Sequence, residues 1–123
     1  LHPETLGAVN NLGMALHSLG RNEEAEPLQR EVLEGLRKVL APNHPNTIAS
    51  HLNLGVVLQA QGKFAEAEEL FVTARTAARR AFSAGHPVDL SATGALAKLL
   101  IAQSRFGEAV SLLSEALPHF RRA

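Results

Sequence analysis

Apolar residues along this chain recur at helical spacing, and the pattern restarts every 42 residues. In the central stretch, Ile48, Leu54, Gly55 and Leu58 fall on one helical face, and Gly62 then interrupts the run. Ala67, Leu70, Phe71, Ala74, Ala78 and Ala81 resume a period of about 3.6 residues. Two apolar stripes separated by a glycine that can adopt a left-handed conformation predict two helices folded into a hairpin. The first unit shows the same design, with Leu12, Gly13 and Leu16, then Gly20, then Ala25, Leu28, Val32, Leu36 and Val39. The third is looser, because Ala97 stands where the others have the helix glycine and Ser104 where they have the turn glycine. No stretch alternates in the manner of a strand.

The register of the repeat is marked independently by His2-Pro3, His44-Pro45 and His86-Pro87, each pair 42 residues from the next. Leu12, Leu54 and Leu96 align in it, as do Leu16, Leu58 and Leu100, and Leu28, Leu70 and Leu112. Glu24-Ala25, Glu66-Ala67 and Glu108-Ala109 also align, and Arg21, Lys63 and Arg105 keep a positive charge. The expectation is an all-α fold in a single domain, residues 1–123, with repeats at approximately 2–43, 44–85 and 86–123. Six helices are expected near 3–19, 22–40, 45–61, 64–82, 87–103 and 106–120. In each His-Pro pair the proline suits the first helical position, where its missing N–H costs nothing, and the histidine before it becomes the N-cap. Glutamates open the second helices and arginine or lysine close them, in line with the helix dipole. Pro27 should cost one hydrogen bond inside its helix, and Pro118 should kink the last helix or end it early.

The spacing Leu54-Gly55-x-x-Leu58, Gly62, Ala67, Phe71 and Ala74 resembles the tetratricopeptide repeat. With 42 residues per unit, Pro-Asn-His-Pro at 42–45 and Gly-Lys-Phe-x-Glu-Ala-Glu at 62–68, the chain is similar to the longer repeats of kinesin light chains and related proteins. That resemblance implies a right-handed superhelical solenoid whose first helices line a concave groove. It implies further that the groove binds peptide segments of other proteins, and that the repeats themselves carry no catalysis.

Composition narrows the function. The chain has 12 Lys plus Arg, 12 Asp plus Glu and a formal net charge of zero, without the basic excess that phosphate contacts demand of a nucleic-acid binder. It has no cysteine, hence no disulfide framework, which fits a reducing, cytoplasmic setting. The longest charge-free stretch is interrupted by Pro42, Asn43, His44, Pro45 and Asn46, and does not make a membrane span of about 20 mostly apolar residues. No dinucleotide fingerprint, phosphate loop or nucleophile elbow occurs. None of the six histidines pairs with another at helical ligand spacing. His2, His44 and His86 are accounted for as caps, and His51 occupies the bulky position of a first helix. The sequence therefore predicts neither enzyme, nor metal, nor cofactor. The five phenylalanines fall on or at the start of second helices, a core pattern.

Of the charged residues, only Glu4, Asp89 and Lys98 lie on first helices. A groove lined by those helices is nearly neutral, which disfavours capture of a C-terminal carboxylate. The expected peptide-binding residues are Asn11, Met14, His17, Leu52, Asn53, Val56, Gln59, Lys98 and Ile101, on first helices but off the face that carries Leu12, Leu54 and Leu96. Asn11 and Asn53 are suited to a peptide backbone, or else to a neighbouring helix. The favoured reading is a protein-interaction scaffold. The alternative is a ligand-sensing or regulatory module controlling an attached enzyme domain outside these residues. Neither end carries a polar cap, so the pattern predicts a piece of a longer array, or self-association through the uncapped ends.

Overall fold

Each His-Pro pair whose histidine is described starts a helix. The computed structural model describes residues 3–122, and six helices run through them: α1 Pro3–Ser18, α2 Asn22–Val39, α3 Pro45–Ala60, α4 Phe64–Ala81, α5 Pro87–Ala102 and α6 Phe106–Arg122. His44 Nδ1 accepts the Asn46 N–H at 3.0 Å, and His86 Nδ1 accepts that of Val88 at 3.1 Å, so both imidazoles act as N-caps ahead of a proline. His2, expected to do the same, lies outside the described residues.

The turn inside each hairpin is built the same way three times. Gly20 and Gly62 have φ of 78° and 80°, and Ser104 takes the same left-handed place with φ of 60°. Behind them Arg21, Lys63 and Arg105 donate their backbone N–H groups to Leu16, Leu58 and Leu100, closing the end of each first helix. Ser104 shows that backbone geometry, rather than glycine itself, defines the turn.

The two helices of a hairpin cross closely where the first carries a small residue. A Cβ at Gly55 would run into the ring of Phe71, and one at Gly13 would meet Gln29. In the third unit the register places Leu113 where the second has Phe71, and Ala97 occupies the glycine position while staying 3% exposed.

The main core runs along the stack through Leu33, Leu54, Leu58, Phe71, Leu96, Leu99 and Leu100, and a second cluster gathers Ile48, Ala74, Ala78 and Ala92. Several expectations need correction. Leu12, aligned with buried Leu54 and Leu96, is 54% exposed. Leu54 shares its cluster with Leu33 of the preceding second helix, and no described helix precedes α1 to cover Leu12 in the same way. Phe106 is 57% exposed rather than part of the core, and Val39 is 56% exposed at the end of α2. α6 runs through Pro118 to Arg122 instead of ending early. Pro118 and Ser114, whose carbonyl loses its intrahelical donor, are both exposed, so water can serve that carbonyl. α2 likewise continues through exposed Pro27.

Candidate functional site

First helices pack directly on one another where α3 meets α5. Second helices reach each other through long charged side chains: Arg30 to Glu66 from α2 to α4, and Arg79 to Glu115 from α4 to α6. The row of α1, α3 and α5 is therefore the tighter, inner side of the stack. Of its three charged residues, Asp89 is 1% exposed, held by Arg79 at 3.1 Å and by the Gly85 N–H at 3.1 Å, while Lys98 is exposed.

Two clefts open along this row. The first, about 370 Å³, lies between α1 and α3 over α2. Val32, Leu36, Val39 and Leu40 make its floor, and Asn10, His44, Asn46, Ser50 and Asn53 bring polar atoms to its walls. Asn53 Nδ2 donates to Asn10 Oδ1 at 3.2 Å, joining the two first helices, while the Asn10 carbonyl accepts from Gln29 Nε2 at 3.4 Å. Ser50 is 2% exposed, and its hydroxyl has no hydrogen-bond partner among the described residues. A buried hydroxyl without a partner carries a desolvation cost that a ligand atom can relieve.

The second cleft is wider, about 720 Å³, and lies between α3 and α5. Val56, Gln59, Ser91, Ala95 and Lys98 line it, with His17 at one edge and Phe64 and Phe71 beneath. His17 is also tied down locally, its Nδ1 lying 2.6 Å from Asn22 Oδ1 at the start of α2.

The structure thus brings His17, Val56, Gln59 and Lys98 together in the second cleft and places Asn53 in the first. Leu52 is half-buried and packs against both core clusters. Asn11 and Ile101 are exposed and Met14 is half-buried, all three apart from the residues lining these clefts. The second-helix floor of the first cleft was missed because its residues read equally well as core. Ser50 had a signal in the sequence, a polar residue inside the buried register of Ile48 and Leu54.

The remaining polar chemistry is structural. His51, 5% exposed, lies 2.9 Å from the Thr47 carbonyl through Nδ1 and 3.3 Å from the Arg37 guanidinium through Nε2. Burial, with Arg37 adding to it, pushes its pKa below the ordinary imidazole value, so Nδ1–H donates to Thr47 and neutral Nε2 accepts from Arg37. Glu26 receives Lys63 and Gln61 of the next unit, both at 2.8 Å, and Arg30 of its own helix at 2.9 Å. Those donors, Lys63 first, hold its carboxyl near a pKa of about 2. Glu68 pairs with Arg105 one unit further on. The glutamates that open the second helices therefore also stitch successive repeats together. Among the described residues no group of three or more His, Cys, Asp or Glu side chains is placed to hold a metal ion, and no helix is long and apolar enough to cross a membrane.

Hairpins stacked in register, with a nearly uncharged inner row, define a helical-repeat solenoid of the interaction-domain class. The tetratricopeptide repeat profile matches residues 4–78 and again 48–122. The chain belongs to the tetratricopeptide repeat family, whose fold generally mediates protein–protein interaction. Among solved structures it is similar to the kinesin light chain nearly identical TPR-like repeats of Podosopora anserina, with TM-score 0.86 and 29% identity. That match covers 96% of this chain and 56% of the other, so the chain spans a little over half the length of that structure. A substituted variant of the same protein matches at 28% identity and TM-score 0.86, over 97% of this chain and 56% of the other. The TPR domain of Arabidopsis FLU matches with TM-score 0.79 over 98% of both chains, at 18% identity, and shows the fold alone. No curated protein matches the chain.

Proposed function

We propose that the inner face is a peptide-binding groove, and that the chain is a non-enzymatic scaffold acting in the cytoplasm. The observation that carries this reading is the first cleft. An aliphatic floor, an unpartnered buried hydroxyl and an amide pair at the rim are the requirements of one apolar side chain on an extended peptide. The floor takes the side chain, Ser50 takes a backbone N–H or C=O, and Asn10 and Asn53 exchange their mutual bond for the peptide backbone. The second cleft, lined by Val56, Gln59 and Lys98, receives the continuing segment. With Lys98 the exposed charge at hand, binding depends on apolar contact and neutral hydrogen bonds.

A peptide-display selection against the chain tests this. The expected result is a set of extended peptides with a recurring aliphatic residue. Ser50→Val and Asn53→Ala should each weaken their binding by about tenfold. Affinity should change little between low and physiological salt. Binders indifferent to both substitutions, or lost on adding salt, would move the site to the charged outer face.

A further inference from the structure

We propose that the bound segment crosses α3 diagonally and is anchored twice, by one side chain in the first cleft and a larger one in the second, about four to six residues apart. This rests on the peptide-groove reading and adds the path, the spacing and the chemistry of the anchors.

One position of the repeat separates the two clefts. It is Asn10 on α1, Leu52 on α3 and Gly94 on α5, each 42 residues from the next. Leu52 fills its surroundings by packing against both core clusters. Asn10 instead brings an amide to the wall of the first cleft. Gly94 leaves the second cleft open, since a Cβ there would meet nothing within 4 Å.

The rest of the first cleft departs from the repeat in the same way. One repeat on, the positions of Asn46 and Ser50 are Val88 and Ala92. Ala92 belongs to the second core cluster and Val88 packs against it. Phe82, the counterpart of Leu40 on the cleft floor, joins that packing and stacks on His86 at 4.2 Å between ring centroids. The second junction is therefore packed shut where the first is open and polar. The repeat's own leucine, valine and alanine suffice for stacking, so the polar residues of the first cleft serve a ligand.

The spacing of the anchors follows from helix geometry. On α3 the first cleft is lined from His44 to Asn53 and the second from Val56 to Ala60. Their centres lie about nine residues apart, ~14 Å along the axis, and the step from one inter-helix gap to the next adds ~9 Å sideways. The diagonal of ~16 Å is about five residues of extended chain, and alternate side chains face the groove, which favours a spacing of four or six. The second cleft has nearly twice the volume of the first, with Phe64 and Phe71 beneath it, and takes the larger apolar anchor. No acidic residue lines either cleft, and Lys98 lines the second. Lysine or arginine is therefore excluded from both anchor positions.

Fluorescence anisotropy on the 123-residue chain, with labelled peptides from the display selection, tests the path. Asn10→Leu closes the first cleft with the residue the repeat uses at α3, and Asn46→Val with the residue it uses at α5. Gly94→Leu fills the open space of the second cleft and replaces glycine by a better helix former. Ala95→Leu narrows the same cleft from the adjoining wall. Circular dichroism and melting temperature confirm that each variant folds. Peptides carrying both anchors should bind about tenfold more weakly to a variant of either cleft. Cutting such a peptide down to one anchor should make it indifferent to the variants of the other cleft. If the selection yields no peptide, the groove reading falls and the path with it. Peptides weakened by Asn10→Leu yet indifferent to Gly94→Leu and Ala95→Leu would leave that reading standing and overturn the path. Selected peptides with lysine or arginine at an anchor would overturn it as well.

Discussion

Gly55 of α3 lies directly under the ring of Phe71 of α4, with no room for a Cβ between them. Phe71 is fully buried at the centre of the main core, so its ring cannot swing away cheaply. Gly55→Ala should therefore destabilise the domain by about 1–3 kcal/mol, although alanine is the better helix former. Phe71→Ala should cost about 3–5 kcal/mol. Denaturant melts of both variants check this, and a Gly55→Ala protein as stable as the parent would refute the close approach.

The turn at Ser104 predicts the opposite sign. Its φ of 60° is a left-handed conformation that Gly20 and Gly62 adopt at the matching positions without a Cβ penalty. Ser104→Gly should stabilise by about 0.5–1 kcal/mol, and Gly62→Ala should destabilise by about 1–2 kcal/mol. Urea midpoints of the two variants should move in opposite directions.

His51 makes stability depend on pH near neutrality. Burial lowers its folded pKa below the ordinary 6.5, so protons bind the unfolded chain more readily than the folded one. This contribution is complete above pH 6.5 and is lost as pH falls below it. His51→Gln, which cannot titrate, should flatten that part of the melting-temperature profile while lowering it overall. A profile in the variant as steep as the parent's would assign the effect elsewhere.

At the first junction, the carboxyl of Glu26 sits at a pKa of about 2 against an ordinary 4.5. A depressed carboxylate stabilises above its unfolded pKa, and its contribution disappears as pH falls from 4.5 towards 2. Glu26→Gln should remove this share of acid sensitivity and cost roughly 1 kcal/mol at neutral pH, as expected of a partly exposed ion pair. Lys63→Met should produce a similar loss, and the double variant should lose less than the sum if the two act through one contact.

The helices were legible because their signals are local. Six apolar runs, three turns and three proline starts lie in the chain at fixed spacing, and the helix ends fall within a residue or two of expectation. Pro118 does not end α6 early, because the rule against interior proline takes no account of an exposed carbonyl near a helix end. The two clefts were legible in part. The period places Val56, Gln59 and Lys98 on first helices, but it cannot show that Leu52 turns into two core clusters or that Val32 and Leu36 form a floor.

By itself the sequence determined the repeat, its length, the helix pairs and the neutrality of the inner row, because each depends on residues close together or on simple register. Tertiary structure alone decided which aligned leucines are covered, since Leu12 and Leu54 have the same local pattern but different neighbours. It also decided that Glu26 meets Lys63 across 37 residues and that Asn53 meets Asn10 across 43. Those partners are set by how one hairpin sits on the next, and that geometry comes from packing summed over the whole interface rather than from any one stretch of chain.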